Sequence, residues 1–169
     1  TASFDLTVFD RNPAAVDALV AQAAKAARSG AELARSCDVV VLCLPRTSDV
    51  NDALFGENGL AEGLSPGKLV IDQTSGIPRD TAAIAEKLAS LGVAMVDAPV
   101  SGGIAAANGG TLTFMVGGTA EAFARAEQIL VAPDVESGVC DNEHNGECRE
   151  QLEQLGRLID PPQQYDFDQ

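Results

Sequence analysis

Asp38-Val-Val-Val-Leu-Cys-Leu44 is a continuous apolar run closed by Pro45. A run of this kind, ended by a residue that fixes φ and carries no N–H, suits a strand buried on both faces. Its neighbours alternate with it in type. Gly30 to Cys37 before it and Ser48 to Phe55 after it have helical character. Lys68 to Gln73 reads as another strand. Pro78 to Leu91 is an amphipathic helix with Ile84, Leu88 and Leu91 on one face, stopped at Gly92. Val93 to Ala98 and Leu112 to Val116 are further strands, and Thr119 caps a last helix through Leu130. Towards the N-terminus, Phe4 to Asp10 is a short β-rich run. Pro13 then opens an Ala-rich helix over residues 13–28, with Asn12 as its N-cap. Strands alternating with helices predict an α/β fold, a mostly parallel sheet with helices on both faces.

Composition sets the outer bounds. The 169 residues suffice for one domain and carry a net charge of −14. That field repels nucleic acid and anionic membranes, so neither is an expected partner. No run approaches the ~20 apolar residues of a membrane span. No secretory leader is evident near Thr1, and four scattered Cys form no disulfide framework, so a cytoplasmic location is the expectation. The averages conceal a break near residue 132. All 27 Ala precede it, whereas the last 37 residues hold ten acids and two bases. Residues 1–132 therefore read as the folded domain. Residues 133–169 read as an irregular acidic tail, disordered or with one short helix at 147–159.

In open α/β sheets, ligands sit at the carboxyl ends of strands. Asp10-Arg11-Asn12 follows the first strand. An Asp there can accept hydrogen bonds from a ribose, and an Arg can pair with a 2′-phosphate; the Asp can equally be a cap or a turn residue. Leu44-Pro45 is either a strand stop or an apolar shelf for a cofactor ring. Thr74 and Ser75 can cap the next helix or meet ligand oxygens. The strongest local feature is Asp97-Ala-Pro-Val-Ser101-Gly102-Gly103, with Asn108-Gly-Gly-Thr111 behind it. Paired Gly after a strand let backbone N–H groups approach a carboxylate or phosphate, and Ser101 adds a hydroxyl. Cys140, His144 and Cys148 are metal-type ligands, but structural zinc takes four and this spacing is not a common finger, so no metal site is expected.

Five strings occur in the order found in the β-hydroxyacid dehydrogenases. They are Val8-Phe-Asp-Arg-Asn-Pro13, Ser36-Cys-Asp-Val-Val-Val-Leu-Cys-Leu-Pro45, Val70-Ile-Asp-Gln-Thr-Ser75, Val96-Asp-Ala-Pro-Val-Ser-Gly-Gly103 and Gly110-Thr-Leu-Thr-Phe-Met-Val-Gly-Gly118. Residues 4–131 thus resemble the family that contains 3-hydroxyisobutyrate dehydrogenase and the NAD(P)-binding domain of 6-phosphogluconate dehydrogenase. The resemblance implies a Rossmann-type doubly wound sheet and hydride transfer between NAD or NADP and a small 3-hydroxy acid. It places Asp10 and Arg11 at the adenosine ribose, Leu44 and Pro45 along the cofactor cleft, and Thr74 or Ser75 near the nicotinamide ribose. Ser101, Gly102 and Gly103 would hold the substrate carboxylate. It also implies a short edge strand near Lys25 to Arg28, inside the stretch read above as helix. Asp10 favours NAD; Arg11 beside it would favour NADP.

The chain departs from the family pattern. Its 169 residues contain no Gly-x-Gly-x-x-Gly turn and, after Leu130, no Lys. The family's turn ends an opening strand that would lie between the first strand here and the strand at 38–44. The family's catalytic Lys stands in a Gly-x3-Lys-x2-Asn context on a helix beyond the Rossmann domain. The helical domain through which the family dimerises is also missing, and Ala106 stands where the family usually has Gly. The expectation is a fragment of a 3-hydroxyacid dehydrogenase with no catalytic residue of its own and little or no turnover. The alternatives are a non-catalytic module that binds small anions, or a protein-binding module with an acidic tail and a sheet centre open to strand addition.

Overall fold

The computed structural model describes residues 4–130 and the backbone of Val139–Asp141. The last helix-length stretch of the acidic tail, 147–159, and the Cys140, His144, Cys148 set lie outside the described side chains.

Strand β1, Thr7–Val8, leads into helix α1, Pro13–Val20. As expected, the Asn12 side chain accepts the Ala14 N–H at 3.1 Å and Pro13 takes the first turn, where a missing N–H costs nothing. The single helix expected over 13–28 is not found. Helix α1 ends at Val20, and the chain reverses through Ala23, at φ 75°. It then forms β2, Lys25–Ala26, parallel to β1 with Thr7 opposite Lys25 and Val8 opposite Ala26. Burial of Ala24 and Ala27 and pairing with β1 override the helical preference of Ala. The edge strand implied by the family resemblance is therefore present.

Helix α2, Gly30–Ser36, is capped by Ser29, whose Oγ accepts the Glu32 N–H at 3.1 Å. Its last carbonyls, on Ala34 and Arg35, accept hydrogen bonds from Lys68 Nζ, a cation where the helix dipole favours one. The chain then runs through β3 (Val39–Leu42), α3 (Thr47–Phe55), β4 (Leu69–Asp72), α4 (Pro78–Ser90) and β5 (Ala94–Asp97). Strands β3, β4 and β5 are adjacent and parallel, with Leu42, Asp72 and Asp97 level at their carboxyl ends.

Residue alternation along the strands builds two cores. Val40, Leu42 and Val70 pack with Val50, Leu54, Ile84 and Leu88 on one face. Leu69, Ile71 and Val96 pack with Phe114, Val116, Ala122, Ala126 and Leu130 on the other. All four residues of β4 are buried, so it is the strand covered on both faces. β3 was expected to be so covered but is not: Val41 is 47% exposed. β4 has a strand on either side, whereas β3 pairs on one side only among the described residues.

Beyond β5 the direction changes. Asp97 and Gly117 exchange N–H···O bonds of 2.9 and 2.7 Å, joining β5 antiparallel to the end of β7, Thr113–Val116. β6, Val100–Ser101, also lies antiparallel to β7. Between them is α5, Gly103–Gly109, and after β7 comes α6, Ala120–Leu130, where Thr119 Oγ1 accepts the Ala122 N–H as expected of a cap. β8, Val139–Asp141, adds a parallel strand to β7, so these three residues of the acidic tail are strand rather than irregular chain. The fold is the α/β Rossmann type, mostly parallel, with six α-helices among the described residues.

Candidate functional site

The loops after β3 and β4 are held together by two threonine hydroxyls that cross between them. Thr74 Oγ1 accepts the Leu44 N–H at 3.1 Å, and Thr47 Oγ1 accepts the Ile77 N–H at 2.8 Å. Both Thr are buried. Thr74 is itself held by Asp72, whose Oδ1 accepts the Thr74 N–H at 2.9 Å. Gly76 is needed where the loops meet, because a Cβ there would lie 2.7 Å from Thr47 Oγ1. The braced loops open onto a cavity of about 610 Å³ lined by Pro45, Arg46, Thr47, Ser75, Gly76 and Ile77, with residues of α3 and α4 behind.

The structure therefore divides the expected cofactor residues. Pro45 and Ser75 line one cavity; Leu44 is not among its lining residues and packs against the core. Thr74 does not reach it: the residue is 2% exposed and its hydroxyl accepts the Leu44 N–H. It positions the Leu44-Pro45 loop. Asp10 and Arg11 lie at the end of β1, apart from this cavity and exposed. Asp10 Oδ1 accepts the Asn12 N–H at 2.6 Å, so it is a turn residue, with its second oxygen available to a ligand hydroxyl. Thr47 was missed in the sequence. The clue was the one applied to Thr74 and Ser75, a hydroxyl between a strand and a helix.

The loop after β5 is the third part. Ser101, Gly102 and Gly103 are exposed, and the two Gly have φ of 128° and 65°. A Cβ on Gly102 would meet the Ala106 Cβ at 2.5 Å, so the turn into α5 admits only Gly there. Ser101 to Gly103 do not line this cavity. At the root of this loop, Asp97 is paired in register with Asp72. Burial, with a smaller contribution from the Asp72 charge, raises the Asp97 pKa to about 6.

Strand ends bearing an Asp, an apolar Leu-Pro step, buried Thr braces and a Ser-Gly-Gly turn define a dinucleotide-binding α/β domain. Residues 1–133 match the family described as the NAD binding domain of 6-phosphogluconate dehydrogenase, and the chain belongs to that family. It is 43% identical over 131 residues to an NAD-dependent L-serine dehydrogenase of Pseudomonas aeruginosa, covering 78% of this chain and 44% of that protein. It is 40% identical over 125 residues to a 3-hydroxyisobutyrate dehydrogenase of the same organism, covering 74% and 42%. A crystal structure of 3-hydroxyisobutyrate dehydrogenase from Salmonella typhimurium superposes with a TM-score of 0.74 at 33% identity, over 90% of this chain and 53% of that one. The chain thus spans less than half the length of these two curated relatives. The described residues include no helix long and apolar enough to cross a membrane.

Proposed function

We propose that this chain forms the nicotinamide-dinucleotide side of a dehydrogenase active on a small 3-hydroxy acid of the 3-hydroxyisobutyrate type. The observation that carries this is the Ser101-Gly102-Gly103 turn after β5, whose three residues are exposed and whose two Gly have positive φ. A turn of this kind can present backbone N–H groups to a carboxylate, which is the role assigned to it in this reading. The residues fit NAD or NADP at two points. Asp10 keeps one carboxylate oxygen for ribose hydroxyls, with Arg11 adjacent. Leu44-Pro45 and Ser75 form a shelf held rigid from beneath by Thr74 and Thr47. The dinucleotide, when bound, supplies a hydride acceptor or donor at its nicotinamide ring.

What the chain's own residues do is bind and orient. Ser101 donates to the substrate carboxylate together with the Gly102 and Gly103 N–H groups. The 169 residues contain neither the glycine-rich phosphate turn nor a Lys in the Gly-x3-Lys-x2-Asn context. That Lys is the family's group for the hydroxyl proton, so the chain by itself is expected to show little or no turnover. The substrate carboxylate remains the feature to probe. Titration with 3-hydroxyisobutyrate should shift the amide resonances of Ser101, Gly102 and Gly103. Ser101→Ala should weaken that binding by about 1 kcal/mol, the loss of one hydrogen bond. Absence of any shift there would refute the carboxylate site, and NAD(P)-dependent oxidation of the acid by this chain alone would refute its inactivity.

A further inference from the structure

An Asn followed by Gly is chemically unstable wherever the backbone is free to turn. Gly has no Cβ to shield its nitrogen, and its freedom in φ lets that nitrogen swing onto the Asn amide carbon. The sequence holds three such pairs, Asn58-Gly59, Asn108-Gly109 and Asn145-Gly146, the last outside the described residues. Asn58 and Asn108 are both exposed but are held very differently. Asn58 is fixed. Its φ is 54°, its N–H donates to Glu62 Oε1 at 2.9 Å, and its carbonyl accepts the Ala31 N–H at 3.0 Å. The Gly59 nitrogen that would attack is part of a buried residue and donates to the Gly56 carbonyl at 3.0 Å. A Cβ on Gly59 would lie 2.7 Å from two backbone oxygens, so the turn has no room to rearrange. Asn108 stands instead in the last turn of α5, a helix of seven residues with no buried residue and no side-chain cap at its start. Gly109 is exposed, and among the described residues its nitrogen makes no hydrogen bond outside that helix. Two bonds close the helix end, from the Gly110 N–H to Ala107 at 3.3 Å and from the Thr111 N–H to Ala106 at 2.9 Å. A helix so short and so little buried opens locally at small cost.

We propose that Asn108 is a site of spontaneous deamidation and isoaspartate formation, and that the modification unravels α5 as the protein ages. The Gly109 nitrogen bonds to the Asn108 Cγ, the Cγ–Nδ2 bond breaks, and ammonia leaves with the proton from Gly109. The product is a cyclic imide. Water then opens the ring at one of its two carbonyls. Opening at Cγ gives Asp; opening at the main-chain carbonyl gives isoaspartate, in which the chain continues through the former side chain. Both products place a carboxylate at the end of the helix where the dipole disfavours an anion. Isoaspartate also adds one methylene to the main chain, which takes Gly110 and Thr111 out of register with Ala107 and Ala106. The reaction needs only water and this backbone, and it is independent of any dinucleotide or hydroxy acid.

The test incubates the whole folded chain in mildly alkaline buffer and samples it over weeks. Proteolytic digestion and electron-transfer mass spectrometry locate each conversion of amide to acid and distinguish aspartate from isoaspartate. Asn108 should convert at least about tenfold faster than Asn58, with isoaspartate among its products. In chain unfolded with urea the two sites should convert at similar rates, because the difference lies in the fold. Gly109→Ala fits the helix, since its Cβ would meet only Thr111 Oγ1, at 3.7 Å. It should slow conversion at Asn108 by at least about tenfold, by shielding the nitrogen and firming the helix, and leave Asn58 unchanged. In the aged chain the Thr111 amide should exchange faster than in the fresh one. Equal rates at Asn58 and Asn108 in the folded chain would overturn the proposal. So would an Asn108 that converts only in urea, or conversion at Asn108 with Thr111 exchange unchanged.

Discussion

Asp97 shows how one residue can be tuned by its neighbours at a strand end. Half burial, aided by Asp72, raises its pKa from 3.8 to about 6. The folded state therefore holds a proton more tightly than the unfolded chain between those values. Stability from this group is full below pH 4 and is lost as pH rises through 6. Asp97→Asn should stabilise the protein by about 1 kcal/mol at pH 7.5, the shift being discounted for solvent screening, and by nothing at pH 3.5. Urea unfolding at the two pH values checks this; equal effects at both would contradict it. Thr74 offers a second test at the same scale. Thr74→Val leaves the Leu44 N–H without its acceptor and should cost about 1–3 kcal/mol, whereas Thr74→Ser should restore most of it. The role of Thr74 as a brace was not legible in the sequence, because capping, ligand binding and loop bracing all call for a hydroxyl in that place. Only the position of Leu44, thirty residues away in the chain, separates them.

At the scale of elements, most strands and helices between residues 30 and 130 were legible because they have a period, a cap or a stop. Asn12, Pro13, Thr119 and Gly92 announced their elements from the sequence. Three features were not so announced. Helix α1 stops at Val20 although Ala continues to residue 27, because pairing of β2 with β1 outweighs helix propensity. The antiparallel turn of β7 against β5 and β6 depends on contacts distant in sequence. Helix α5 buries no residue and has no apolar face to betray it. The Gly at its entrance can be ranked. Gly102→Ala brings both a positive φ and a clash with Ala106, and should destabilise by about 2–3 kcal/mol. Gly103→Ala meets open space and should cost only about 1–2 kcal/mol of backbone strain. Thermal unfolding of the two variants gives the order, and the reverse order would show that the turn relaxes.

Across the whole molecule, stability is expected to be graded along the sheet. β4 is buried on both faces and paired on both edges, while β1 and β2 have two residues each. Amide exchange should be slowest at Val70 and Ile71 and fastest in the β1–β2 pair, which opens without disturbing either core. Uniform protection across the sheet would contradict this. The same gradient explains what could be read of the site. Leu44, Pro45 and Ser75 stand next to strands whose apolar runs are unmistakable. Asp10 and Arg11 stand next to a strand held by few contacts, and the sequence did not reveal that they lie apart from the Pro45 cavity.

The crossed hydroxyls of Thr47 and Thr74 have a consequence for anyone who would re-engineer this scaffold. Each loop supplies the acceptor that completes the other, so the segments 43–47 and 73–77 are a single interchangeable part. Transplanting one of them from a homologue would strand a donor on the segment left behind. Transplanted as a pair, they would carry their own fit with them.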